Sequence, residues 1–152
     1  MSGAITLNGP NLGDYQNFIA NVMGIPSTVL PATAPVIALS FSVALESVNP
    51  ALACVGLIYP LAVYNYAGDL LLNFATDQPG YDFFAKIQKQ YQLATFVPGV
   101  LSTVSDEGTS NSWLNADAMR AFTLSDLHRL KTPYGRQYLQ FAQSYGTLWG
   151  LS

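Results

Sequence analysis

Residues 57–75 read Leu-Ile-Tyr-Pro-Leu-Ala-Val-Tyr-Asn-Tyr-Ala-Gly-Asp-Leu-Leu-Leu-Asn-Phe-Ala, and this stretch decides the fold. Apolar or small residues recur in it at steps of three and four, the spacing of one helical face: Leu61, Tyr64, Gly68, Leu71 and Ala75. Pro60 fits the first turn of a helix, because the first amide groups of a helix have no partner within it. The stretch therefore predicts a helix that begins close to Pro60.

A second face of this helix is polar, and its residues are also three or four apart: Asn65, Asp69, Asn73 and Thr76. Leu70, Leu72 and Phe74 make the apolar arc wider than a surface helix needs. Gly68 allows a neighbouring helix to approach closely. We expect this to be the central helix of a small bundle, contacted on more than one side.

The composition predicts a globular chain with an unusually small charged surface. Of 152 residues, 50% are hydrophobic and 10% are charged, whereas soluble domains usually contain about 25% charged residues. The length fits one domain with a core that needs no disulfide or metal. So few charges are typical either of a membrane protein or of a subunit whose surface is covered by neighbouring subunits.

The membrane interpretation is the weaker of the two. The longest apolar region, residues 29–75, is interrupted by prolines and polar side chains, so no window of about 18 to 20 residues suits a spanning helix. No Lys or Arg precedes Lys86, so the basic flank of a spanning segment is missing. The N-terminus does not resemble a signal peptide. We therefore expect a subunit covered by protein neighbours and no membrane partner.

The charges are distributed unevenly along the chain. Residues 1–85 contain five acidic and no basic side chains, whereas residues 86–152 contain six basic and four acidic ones. Six scattered basic groups do not form the dense patch that a nucleic-acid-binding protein needs. The asymmetry is compatible with identical subunits that stack through ends of opposite charge, and equally with chance.

Further helices are predicted where a capping residue or a first-turn proline precedes apolar residues at helical spacing. The predicted ranges, each with the residues that signal its start, are 15–22 (Asn11 or Asp14), 36–48 (Thr33 and Pro35), 51–58 (Asn49 and Pro50), 81–96 (the turn at 77–80) and 134–145 (Thr132 and Pro133). The helix over 51–58 is either separate or continuous with the central helix.

Residues 99–114 differ from the rest of the chain. Two β-branched or hydroxyl-rich segments flank Asp106-Glu107-Gly108, which predicts a β-hairpin. The expected fold is therefore mainly α: one domain over residues 1–152, a small helical bundle with one inserted hairpin. Residues 1–13 are expected to form an N-terminal arm, and residues 146–152 a C-terminal tail.

Catalytic signals are weak throughout the sequence. His128 is the only histidine, and it fits a partly exposed helix residue. Cys54 lies among apolar residues, where a thiol behaves as a small core side chain. Asp106 and Glu107 are adjacent at the hairpin tip and fit a solvated turn better than a catalytic pair. No metal-ligand cluster or phosphate-binding loop is recognisable, so we expect no catalytic residue, no cofactor and no metal.

Four segments resemble small neck proteins of tailed bacteriophages, most closely the head-tail adaptor, also called the connector or head-completion protein. They are Tyr64-Asn-Tyr-Ala-Gly-Asp-Leu-Leu-Leu-Asn-Phe74, Gly99-Val-Leu-Ser-Thr-Val-Ser-Asp-Glu-Gly-Thr-Ser110, Thr123-Leu-Ser-Asp-Leu127 and Leu130-Lys-Thr-Pro-Tyr-Gly-Arg136. The resemblance covers roughly residues 57–152. It implies a structural virion protein, not an enzyme, that is made in the host cytoplasm and placed at the head-tail junction.

The resemblance also implies partners. They are other copies of the chain in a ring, usually of twelve, the portal protein, a stopper or tail protein, and DNA that passes through the channel without specific binding. The hairpin and the tail are the expected protein contacts, through Ser105, Asp106, Glu107, Gly108, Thr109, Trp113, Leu148, Trp149 and Leu151. A stopper or tail-completion protein is the nearest alternative, and a small helical ligand-binding domain or enzyme is a more distant one.

Overall fold

The computed structural model describes residues 9–94 and 128–145, and the structural statements below refer to these residues. This part of the chain is mainly helical, as the sequence predicts. In chain order its helices are α1 (Leu12–Asn21), α2 (Pro35–Ser47), a 3₁₀ helix (Pro50–Val55), α3 (Ile58–Phe74), α4 (Phe83–Gln90) and α5 (Pro133–Ser144). The described ranges contain no strand, and the predicted hairpin at 99–114 lies outside them.

Three of the predicted helix starts are confirmed by side-chain caps. The side chain of Asn11 accepts the Asp14 N–H at the start of α1, and that of Thr132 accepts the Gly135 N–H at the start of α5. Asn49 likewise accepts the Ala51 N–H at the 3₁₀ helix. Each cap pairs an amide that the helix itself leaves without a partner.

The start of α2 differs from the prediction. Pro35 is its first residue, as expected, but the residue before the helix is Ala34 and no side chain caps it. The predicted cap by Thr33 is therefore wrong. The fixed φ of Pro35 suits the first helical position and its missing N–H removes one amide that would need a cap.

The segment after α2 is a separate 3₁₀ helix and not an extension of the central helix. Gly56 ends it with a φ of 64°, a value that only glycine adopts at low cost. The 3₁₀ repeat of three residues turns Leu52 inward, whereas Ala51 and Cys54, three apart, face the solvent. Cys54 is exposed, so the prediction of a core position for it is wrong.

Helix α4 is shorter than the predicted range of 81–96. The carboxylate of Asp77 accepts the Phe84 and Ala85 N–H groups at 2.8 and 2.9 Å and so anchors the start of α4. Gln92 has a φ of 52°, which takes the chain out of helical geometry two residues after Gln90.

Helix α3 is the centre of the bundle, as predicted. Every residue from Ala62 to Asp69 is buried. The Tyr64 ring packs against Phe41 of α2 at a centroid distance of 6.5 Å, and the Tyr66 ring packs against Tyr138 of α5 at 4.8 Å. Two residues turn a helix by roughly 200°, so α2 and α5 pack on opposite sides of α3.

Helix α1 lies across these helices and closes the core. Tyr15 stacks on Phe41 and on Tyr64, and Phe18 contacts both Tyr64 and Tyr134. These rings belong to one continuous hydrophobic cluster shared by the described helices.

Two details of α3 test the predicted faces. A Cβ at Gly68 would lie 3.2 Å from the sulfur of Met23 and 3.5 Å from Cγ of Tyr134, so the close approach expected there is confirmed. Phe74, which was expected to widen the apolar arc, is 65% exposed. It is the last residue of the helix, where no neighbouring element covers it among the described residues.

Candidate functional site

The polar face of α3 contacts the segment that leads into α5. Thr132 Oγ1 donates a hydrogen bond to Asp69 Oδ1 at 2.5 Å and accepts the Gly135 N–H at 2.9 Å. Asp69 is 2% exposed and Thr132 is fully buried. One hydroxyl group therefore links a buried carboxyl of the central helix to the first turn of the C-terminal helix.

Burial changes the acidity of Asp69. Desolvation raises the pKa of this carboxyl to about 6, against the lowering effects of the Thr132 hydrogen bond and of the Arg129 charge. Desolvation dominates because moving the ionised carboxyl out of water costs more free energy than one hydrogen bond and one screened positive charge provide.

His128 and Asn73 form a second link between the same elements. The His128 Nε2 lies 2.7 Å from Asn73 Oδ1, and this distance fits a neutral imidazole that donates its N–H to the amide oxygen. Desolvation, together with the charges of Lys131 and Arg129, lowers the pKa of His128. The neutral form of the ring is therefore favoured, and Nε2 can donate this hydrogen bond in either protonation state.

Arg129 provides a third link, through aromatic rings. Its Nη2 donates a hydrogen bond to the Tyr66 hydroxyl at 2.9 Å. The guanidinium carbon lies 4.7 Å from the Tyr66 ring centroid and 5.5 Å from that of Tyr138. Both distances are within the range of cation–π attraction.

These three links form what we call the polar joint: Asp69, Asn73, His128, Arg129 and Thr132. The backbone is packed tightly around it, because a Cβ on Gly135 would lie within 2.1 Å of the Arg129 carbonyl oxygen. Within the joint Asp69 and Thr132 are closed to solvent, whereas Asn73, His128 and Arg129 are partly exposed. The joint fixes the C-terminal helix on the central helix.

The sequence predicts the residues on both sides of the polar joint but not the contacts between them. The polar face of α3, the cap at Thr132 and the partly exposed position of His128 were all predicted, and the structure confirms them. The partners of these residues are 55 to 63 positions away in the chain. No local pattern signals such a pairing.

The outer side of α2 is an exposed apolar surface. Leu39 is 60% and Val43 41% exposed, whereas Ile37, Phe41 and Ala44 of the same helix are buried. Positions 39 and 43 are four apart and therefore adjacent on one helix face. We call Leu39 and Val43 the α2 stripe.

A second apolar surface is concave. An open groove of about 430 Å³ lies between α1, the start of α3, and α5. Its walls are mainly Phe18, Leu61, Tyr134 and Phe141, and Val22, at the end of α1, lies on its edge with 59% of its surface exposed. We call this the α1–α5 groove. Its lining also includes the polar side chains of Asn65 and Gln137.

The two surfaces lie on flanks of different charge. Helix α2 contains Glu46 and no basic residue. Helix α5 contains Arg136 and no acidic residue, and Lys131 lies in the turn before it. The uneven charge of the sequence thus becomes a difference between opposite sides of α3.

The residues predicted to contact other proteins lie outside the described ranges. These are Ser105, Asp106, Glu107, Gly108, Thr109 and Trp113 of the predicted hairpin, and Leu148, Trp149 and Leu151 of the tail. Within residues 9–94 and 128–145, no three His, Cys, Asp or Glu side chains lie close enough together to hold a metal ion. In the same ranges no helix combines the length and apolar character that crossing a membrane requires.

Compared with protein families, with curated proteins and with solved structures, the chain gives no match in any of the three.

Proposed function

We propose that this chain is a structural, non-enzymatic subunit that assembles with copies of itself, and that it serves as a head-tail adaptor in the neck of a tailed bacteriophage. It forms a ring beneath the portal, extends the DNA channel and receives the next neck or tail component. The hairpin proposed at residues 99–114 and the tail at residues 146–152 contact the portal, the neighbouring copies or the stopper.

The observation that carries this proposal is the apolar surface exposed by a chain that is poor in charge. Leu39, Val43 and Val22 are 41 to 60% exposed, while only 10% of all residues are charged. Burying a fully exposed side chain of this kind contributes about 1.5 to 3 kcal/mol, so covering the exposed part of each of these contributes roughly half as much. Exposed apolar side chains that lie together can form protein contact sites, and the resemblance of residues 57–152 to neck proteins supports a ring as the assembly.

Electron microscopy tests the proposal. Native particles, or the purified chain mixed with its neighbouring neck proteins, are expected to show a ring of this chain at the head-tail junction. Antibody labelling or a small fused domain on the chain identifies its position. A particle whose junction lacks the label, with the label elsewhere on the tail, contradicts the adaptor role and favours the stopper or tail-completion alternative.

One observation favours a different class of function. The α1–α5 groove has the volume of a small-molecule site, about 300 to 1,000 Å³, and the Asn65 and Gln137 amides can orient a polar ligand. In that case the chain is a ligand-binding domain. Saturable binding of a small molecule by monomers, lost on replacing Asn65 by Leu and with no assembly at any concentration, favours this second candidate.

A further inference from the structure

Two of the apolar surfaces on the described residues, the α2 stripe and the α1–α5 groove, share no residue. The α2 stripe consists of Leu39 and Val43, whereas α2 contributes nothing to the lining of the α1–α5 groove. The opposite face of α2 is held in the core through Ile37, Phe41 and Ala44. A copy therefore cannot place its own stripe in its own groove without losing that core packing.

Charge agrees with a pairing between copies. Glu46 lies on the outer side of α2, seven residues after Leu39 and three after Val43, and its side chain is exposed. Arg136 is exposed on α5, the helix that lines the groove through Tyr134, Gln137 and Phe141. Contact between the α2 and α5 flanks brings Glu46 and Arg136 together, whereas two α2 flanks together bring only acidic groups. The charged residue of α1, the other wall of the groove, is Asp14, eight residues before Val22.

We propose that the α2 stripe of one copy seats in the α1–α5 groove of a second copy, so that the acidic flank of the first lies against the basic flank of the second. This inference rests on the proposed self-assembly and identifies its contact surface. The contact is heterologous, because each copy uses a different surface from its partner. A row of such copies therefore always has an unfilled stripe at one end and an unfilled groove at the other. The row closes into a ring when the rotation between neighbouring copies brings its two ends together.

Three variants of the full chain test the contact, with size-exclusion chromatography coupled to light scattering and with native mass spectrometry. Leu39→Asp disables the stripe and Val22→Asp disables the groove. Phe74→Asp is the matched control, because Phe74 is 65% exposed and belongs to neither surface. All three positions are exposed, so circular dichroism and thermal unfolding are expected to show a folded chain in each case.

The expected result is assembly of the wild type and of Phe74→Asp, and single chains for Leu39→Asp and Val22→Asp at the same concentration. A carboxylate placed in this apolar contact is expected to raise the dissociation constant between two copies at least about tenfold. The decisive sample is a 1:1 mixture of the two disabled variants. The intact stripe of Val22→Asp fits the intact groove of Leu39→Asp, so the mixture yields a dimer that grows no further.

The other outcomes overturn the inference in distinguishable ways. If the wild type and both Leu39→Asp and Val22→Asp assemble equally well, copies associate through other surfaces, and the proposed function stands. If only Val22→Asp fails, the contact is a symmetric pairing of two grooves. If only Leu39→Asp fails, the contact is a symmetric pairing of α2 helices. If both fail alone and their mixture contains no dimer, the two surfaces do not meet. A wild type that stays a single chain at every concentration removes the proposed function as well.

Discussion

Replacing Asp69 by Asn tests whether the polar joint contains a buried carboxyl whose ionisation opposes folding. The variant keeps the shape of the side chain, and its amide oxygen can still accept the Thr132 hydroxyl, which lies 2.5 Å from Asp69 Oδ1 in the wild type. What it removes is the titrating proton. The difference between the two proteins therefore isolates the charge of Asp69.

The magnitude follows from the pKa of Asp69. Burial raises this pKa from 3.8 to about 6, so the folded chain holds the proton more tightly than the unfolded chain does. The resulting contribution to stability is fully present below pH 3.8 and is lost as the pH rises through about 6. One pKa unit corresponds to about 1.4 kcal/mol, so the loss reaches about 3 kcal/mol at neutral pH.

The assay is urea unfolding of the wild type and of Asp69→Asn at a series of pH values between about 3.5 and 7.5. The free energy of unfolding of the variant, relative to that of the wild type, is expected to rise by about 3 kcal/mol across this range. Taking the difference cancels the titration of groups that both proteins share.

Asp82→Asn is the matched control. Asp82 pairs with Lys86 on the surface, and its side chain is 69% exposed. Its removal is expected to change the free energy of unfolding by less than about 1 kcal/mol at every pH. If the wild-type and Asp69→Asn curves run parallel over the whole pH range, Asp69 is not desolvated in the folded chain, and the geometry described for the polar joint is refuted.

Three further substitutions test the joint and the tail. Gly135→Ala is expected to lower the free energy of unfolding by more than about 3 kcal/mol, because the new Cβ meets a backbone carbonyl at 2.1 Å; Gly13→Ala, whose Cβ meets nothing closer than 3.4 Å, is its control in the same denaturant titration. Thr132→Val is expected to cost about 2 to 4 kcal/mol by removing a helix cap and the hydroxyl donor of a buried carboxyl. Thr132→Ser should restore most of that stability, and a serine variant as unstable as the valine one would contradict the role of the hydroxyl. Trp149→Ala is expected to block particle assembly while circular dichroism shows an unchanged bundle, and normally assembled particles would count against the tail as a contact.

Local patterns predicted most of the described fold. The spacing of apolar residues predicted a helix from close to Pro60 to Ala75, and α3 runs from Ile58 to Phe74. Caps at Asn11, Asn49 and Thr132 predicted three helix starts. These signals act within one or two turns of the chain, so the sequence alone contains them.

The errors arose where tertiary contacts or a change of helix type decided the outcome. Cys54 was assigned to the core by its apolar neighbours, but the three-residue repeat of the 3₁₀ helix turns it to the solvent. Phe74 was expected to widen the apolar arc of α3, yet α3 ends there and leaves the ring uncovered within the described ranges. The pairing of Asp69 with Thr132 spans 63 residues, and only the folded chain brings the two together.

The surfaces proposed for assembly could be predicted only in outline. The scarcity of charge and its uneven distribution are properties of the sequence, and they already suggested a covered subunit. Which apolar residues remain exposed depends on how helices turn around α3. The stripe at Leu39 and Val43 and the groove beside Phe141 emerged only from the packed structure.

The mass of the purified 152-residue chain in native mass spectrometry, measured over a wide range of concentrations, tests self-assembly most directly. The account predicts a closed species of defined copy number, a multiple of 16.4 kDa, that dissociates when Leu39 is replaced by Asp. A single species of 16.4 kDa at every concentration would contradict it.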